Sequence, residues 1–139
     1  MWLVAKLHPV LVHFPIGLVL TAAVTELLAI FKRRRAWRAF AIVNLRVGAA
    51  MGAITAVAGW ALASTPLVEP TPLLMWHRWL GVAGALGALG AALLSTRCQV
   101  ESQRSLLAYQ VALFAATALV AIAGHLGGTL VWGADFLHP

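Results

Sequence analysis

Four apolar stretches of membrane-spanning length divide this chain of 139 residues. A helix that crosses a bilayer needs about 20 mostly apolar residues. The stretches run from Pro9 to Phe31, Ala39 to Ser64, Pro72 to Thr96 and Leu106 to Val131. In hydrocarbon a backbone N–H or C=O finds no water, so each stretch must satisfy its own hydrogen bonds as an α-helix. No period-two alternation is sustained, which argues against strands. The expected fold is all-α, an integral membrane antiparallel four-helix bundle, with residues 1–139 as one four-span domain. Composition agrees: 62% of residues are hydrophobic and only 10% charged, against about 25% charged in an average soluble domain.

The net charge of +6 invites a nucleic-acid reading, but its placement opposes one. Lys32, Arg33, Arg34, Arg35 and Arg38 form one cluster between two apolar stretches, and no basic face with interleaved aromatics lies outside them. Nucleic acid is therefore not an expected partner; membrane lipid is. Arg97 and Arg104 add to the same side, while Lys6 and Arg78 lie on the other. Lys and Arg concentrate in cytoplasmic loops. That rule predicts a multi-pass protein of the bacterial inner membrane, with both termini and the Thr65–Pro70 loop on the periplasmic side. Trp2, Trp60, Trp76, Trp79 and Trp132 fall near that outer interface, as an aromatic belt would, and Trp37 marks the inner one.

Local signals set the ends. Pro9 and Pro72 suit the first helical turn, where a missing N–H costs nothing. Thr71 is placed to cap the third helix, and Ser102 or Gln103 to open the fourth. Pro15 removes the hydrogen bond to Leu11 and should bend the first helix, which would aim His13 inward. Gly- and Ala-rich tracts such as Gly48–Gly52 and Gly81–Ala88 read as close helix contacts. No internal repeat is convincing. The N-terminus does not read as a cleavable signal peptide, because the basic run follows the apolar stretch.

Four histidines stand out. Histidine is costly in hydrocarbon and calls for a partner, a metal or water. At 1.5 Å per residue, His13 lies ~6 Å inside Pro9 and His77 ~7.5 Å inside Pro72, while His125 lies ~9 Å inside the end of the fourth helix. Three imidazoles from three helices thus share one depth, and His8 sits just above at the rim. Gly17 lies one turn below His13, and Gly81 one turn below His77; Gly124, Gly127 and Gly128 surround His125. Missing side chains at that depth leave a flat slot, which suits a planar macrocycle with axial histidines. Arg78, with Lys6, is placed to pair with propionates, or else to snorkel at the interface. The rival is a non-haem site in which three imidazoles hold Zn or Cu. Carboxylate support for it is thin, since Glu69 and Asp135 are the acidic residues on that side. His138 in the tail is given no role.

Glu26 and Arg46, with Asn44 nearby, form a second polar feature near the basic side. Their expected role is a structural clamp, with a proton route or quinone pocket as the alternative. Cys98 is the only cysteine; no internal disulfide and no CxxCH attachment of haem is available. No GxSxG, HExxH, Walker or dinucleotide motif is present.

Three segments carry a resemblance: His8-Pro9-Val10-Leu11-Val12-His13-Phe14-Pro15-Ile16-Gly17, His77-Arg78-Trp79-Leu80-Gly81, and Gly124-His125-Leu126-Gly127-Gly128-Thr129-Leu130-Val131-Trp132-Gly133. Together they resemble the prokaryotic membrane family called domain of unknown function 2231, over essentially all four spans. The chain looks most like the branch associated with c-type cytochrome domains. The resemblance implies a redox setting, with a separate c-type cytochrome or Rieske iron–sulfur partner.

The combined expectation is a membrane b-type cytochrome that carries electrons between membrane quinol and an extracytoplasmic acceptor, an electron-transfer protein rather than an enzyme with its own substrate. It holds haem b, and four histidines are enough for two. His13 and His77 are the first ligand pair, with His125 next and His8 at the rim. A quinone contact and a homo-oligomer are compatible with this reading. Two alternatives stay open: a Zn- or Cu-binding membrane protein, and a non-catalytic anchor of a redox complex.

Overall fold

The structure is a computed structural model and describes residues 7–66, 68–97 and 102–133. Trp2, Lys6, Leu67, Cys98, Asp135 and His138 lie outside them. The described residues form α1 (His8–Leu11), α2 (His13–Lys32), α3 (Arg35–Ala63), α4 (Pro72–Arg97) and α5 (Gln103–Trp132). They supply four helical stretches long and apolar enough to span a membrane, α1 and α2 together making the first. The spans follow the expected ones and extend them by a few residues at most ends.

The break between α1 and α2 has a local cause. Pro15 has no N–H to offer the Leu11 carbonyl. That carbonyl instead accepts a hydrogen bond from Thr55 Oγ1 on α3, at 3.4 Å, a cross-helix repair of the kind buried membrane helices need. At the other end of α2, Arg33 takes a left-handed conformation with φ 51° and stops the helix. Arg34 is extended and α3 begins at once, so the first hairpin is tight. Thr71 Oγ1 accepts from the Leu74 N–H at 3.1 Å and caps α4.

The centre is built from small residues. Ala22, Ala49, Ala88, Ala91 and Ala116 pack with Val19, Ile42, Leu45, Tyr109 and Leu113 in one cluster. Short side chains let helix axes approach closely, which is how spans associate when the surroundings are as apolar as the core. Large side chains such as Phe31, Phe40, Leu86 and Leu93 face outward, as a lipid-facing surface requires.

The two halves of the bundle are hairpins, α1–α3 and α4–α5, that follow one contact plan. A Cβ on Gly48 would lie 3.0 Å from Leu18 Cβ, and a Cβ on Gly87 would lie 3.3 Å from Ala116 Cβ. A Cβ on Gly52 would lie 3.7 Å from Pro15 Cβ, and one on Gly84 would lie 3.1 Å from Val120 Cγ2. Counted from His8 and from His77, Pro15, Leu18 and Glu26 fall in step with Gly84, Gly87 and Ser95. On the second helices, Gly48, Gly52, Thr55 and Gly59 fall in step with Ala116, Val120, Ala123 and Gly127. This is a parallel structural repeat about the bundle axis, and it corrects the expectation that no repeat exists. Sequence comparison misses it because the glycine of each close contact changes helix: α3 carries it in the first hairpin, α4 in the second.

The basic end holds a buried polar cluster. Glu26, fully buried, accepts from Arg38 Nε at 2.9 Å, Gln110 Nε2 at 2.8 Å and Tyr109 OH at 3.4 Å. The expected Glu26–Arg46 pair is not formed. The tight turn brings Arg38 level with Glu26, and Arg46 lies two turns farther along, ~12 Å away on the axis. Arg46 Nε instead donates to the buried Ser95 Oγ at 3.2 Å, and Asn44 donates to the Phe40 carbonyl.

Candidate functional site

At the opposite end, His8 and His77 meet across the seam between the hairpins. Their ring centres are 6.2 Å apart and the ring planes are inclined by 75°. His8 opens the first hairpin, yet its imidazole reaches the second helix of that hairpin: Nδ1 donates to the Thr55 carbonyl at 3.0 Å. His77 opens the second hairpin and does the same, with Nδ1 donating to the Ala123 carbonyl at 2.9 Å. A carbonyl oxygen can only accept, so in each neutral ring the proton sits on Nδ1 and Nε2 carries a lone pair.

Glycine shapes both seats. A Cβ on Gly59 would lie 2.6 Å from His8 Cε1, and a Cβ on Gly127 would lie 2.9 Å from His77 Cε1. Gly59 follows Thr55 by one helical turn, and Gly127 follows Ala123 likewise. The motif is thus the same twice: a carbonyl binds the ring edge and a glycine one turn on makes room for the ring face. Both rings are half-buried.

His13 and His125 do not join this pair; both are exposed. The imidazole that meets His77 is that of His8, not that of His13. Depth along the axis was not the deciding quantity; rotation about it was. Pro15, Val19, Ala22 and Glu26 are buried on α2. His13 stands two residues before Pro15, roughly 200° around the helix, and so points away. His125 stands two residues beyond buried Ala123 and turns outward for the same reason. The bend near Pro15 does not aim His13 inward; His13 Nδ1 lies 3.4 Å from the Val10 carbonyl of its own chain turn.

The remaining expected residues divide. Gly17, Gly81 and Gly128 have open space where a side chain would stand. Gly81 lies one turn below His77, where a slot was expected. Gly17 is exposed and belongs with His13 on the outer flank of α2. Arg78 lies across Trp60, its guanidinium carbon 3.8 Å from the ring centre.

Residues 5–136 match the family described as predicted membrane protein, domain of unknown function 2231 (DUF2231). The chain belongs to that family. No curated protein and no solved structure matches it. In this family member the residues that sequence reasoning underweighted are Thr55, Gly59, Ala123 and Gly127. Their signal was present: each half has a histidine near the start of its first helix and a glycine near the end of its second. Among the described residues, no group of three or more His, Cys, Asp or Glu side chains comes together as a metal site.

Proposed function

We propose that this protein is a membrane b-type cytochrome whose haem is held by His8 and His77 near the periplasmic surface, and that it passes electrons between membrane quinol and an extracytoplasmic c-type cytochrome or Rieske partner. One observation carries the reading: two imidazoles from different hairpins, each tied through Nδ1 to a backbone carbonyl, with ring centres 6.2 Å apart. A metal–imidazole bond of ~2 Å would put a ring centre roughly 3 Å from a metal, so two rings that hold one ion would lie within about 6 Å of each other. Two imidazoles, those of His8 and His77, would suffice to hold a haem, which brings nitrogen donors of its own. They are fewer protein ligands than a zinc site takes, which weighs against the Zn alternative.

When bound, the haem would supply a one-electron couple. The chain's residues do the rest. The Thr55 and Ala123 carbonyls hold each ring in the tautomer that presents Nε2, and a hydrogen bond of this kind raises the basicity of the ligand nitrogen. Gly59 and Gly127 set how deeply each ring sits. Open space at Gly81 extends the fit one turn down α4.

The test is a reduced-minus-oxidised visible spectrum of the detergent-purified full chain, with parallel metal analysis. Sharp α and Soret bands, lost in His77→Ala, are the expected outcome. Stoichiometric zinc or copper without those bands would refute the haem assignment.

A further inference from the structure

We propose a second ligand site, for an anionic phospholipid, in the groove between α3 and α4 beneath Arg78. The groove is a cavity of about 380 Å³, lined by Ala53, Val57 and Trp60 on α3 and by Val82, Ala85 and Leu89 on α4. That size lies in the range of small-molecule sites. It runs along the flank of the bundle at membrane depth, with Val57 and Leu86 on its lip exposed outward. Arg78 belongs to the same stripe of α4 as Val82, Ala85 and Leu89, so it stands at the mouth.

Among the described residues, the charge at that mouth has no carboxylate partner. Arg78 Nε is buried and lacks a hydrogen-bond partner among the described residues. The guanidinium lies on Trp60, which packs edge-on against Trp79 with ring centres 5.6 Å apart. This stacking fixes the cation but leaves its Nε–H without an acceptor among the described residues. A buried cationic donor without an acceptor is costly, and a guanidinium matches the geometry of a phosphate. One cation above an apolar trough is the complement of an anionic head with an apolar tail. The depth of the trough selects a lipid over free phosphate, which would use the arginine alone.

The structural repeat supplies an internal comparison. On the opposite flank, Pro9 occupies the position in step with Arg78, and Gly128 the one in step with Trp60. The cation and its aromatic platform are therefore peculiar to the α3–α4 flank and are no by-product of the shared contact plan. This proposal does not depend on haem.

Native mass spectrometry of the full chain, with phosphatidylglycerol, phosphatidylcholine or inorganic phosphate added, tests it. Phosphatidylglycerol should be retained as one tightly held adduct, and phosphatidylcholine about tenfold less, because its own choline cation offsets the phosphate charge that Arg78 would meet. Arg78→Gln should lower phosphatidylglycerol retention by about the same factor, while circular dichroism confirms that the helices are kept. Ala53→Phe, which fills the trough and keeps the cation, should also lower it. Inorganic phosphate should not displace the lipid. Equal retention of the two lipids, undiminished phosphatidylglycerol in Arg78→Gln, or displacement by inorganic phosphate would each overturn the assignment.

Discussion

The two hairpins share a plan and differ in what they build on it. Both place a histidine at the start of the first helix, a carbonyl to bind it on the second, and a glycine one turn on to seat it. Both bury one polar residue at the same step toward the basic end: Glu26 in the first hairpin, Ser95 in the second. They diverge in backbone and flank. The first hairpin is broken near Pro15 and needs Thr55 Oγ1 to repair it; α4 runs unbroken from Pro72 to Arg97. The second carries Arg78 over a groove where the first has Pro9. The histidine seats are the part both halves keep in full, and they face each other across the seam. That coincidence points to a site made jointly by two equivalent halves.

The comparison breaks most readily at the seats. Gly59→Ala should push the His8 ring from its place, because the new Cβ would stand 2.6 Å from Cε1. Gly127→Ala should do the same to His77, less severely at 2.9 Å. Overpacking of this kind costs about 1–3 kcal/mol. The readout is the visible spectrum: bands weakened or shifted in both variants, more so for Gly59→Ala. Gly17→Ala, where space is open, should leave them unchanged. Identical spectra for all three would remove the seats from the account.

The buried polar positions sharpen it next. Glu26→Ala leaves Arg38 and Gln110 without their acceptor and should destabilise the bundle by about 3 kcal/mol, the low end of the range for a broken buried pair because Arg38 keeps some access to solvent. Ser95→Ala removes a neutral contact to Arg46 and should cost about 1 kcal/mol or less. Thermal unfolding in detergent, followed by circular dichroism, ranks the two. A larger loss for Ser95→Ala would contradict the electrostatic reading of Glu26.

The smallest effect is expected at the repair of the break. Thr55→Val keeps the Thr55 carbonyl, and with it the His8 contact, but deletes the hydroxyl that serves Leu11. Membrane hydrogen bonds of this type average ~0.6 kcal/mol. A slight fall in unfolding temperature with an unchanged spectrum is expected. A large spectral change would mean that the break itself positions His8.

The four spans, the capping threonine and the basic turn were legible in the sequence, because length, hydropathy and helix-end chemistry act locally. The histidine end was legible as a region, since axial rise alone brings His8, His13, His77 and His125 near one another. Which of them face each other was not, because that depends on rotation about each axis and so on the partner helices. The sequence pairs Gly127 with His125; helix rotation instead makes it the seat of His77, and Gly59 that of His8. Arg38 was hidden for a related reason: counting turns from the helix ends favoured Arg46, and the left-handed turn at Arg33 shortened the connection. The family resemblance, from which a redox setting was expected, carried no pairing.

The central claim is that His8 and His77, and not the two exposed histidines, hold a haem between the hairpins. It is tested most directly by extracting and quantifying haem per chain from the wild type and from the four single variants His8→Ala, His13→Ala, His77→Ala and His125→Ala, all produced with haem in excess. The account predicts about one haem per chain in the wild type, His13→Ala and His125→Ala, and almost none in His8→Ala and His77→Ala. Full haem retention in His8→Ala or His77→Ala, or its loss in His13→Ala alone, would contradict it.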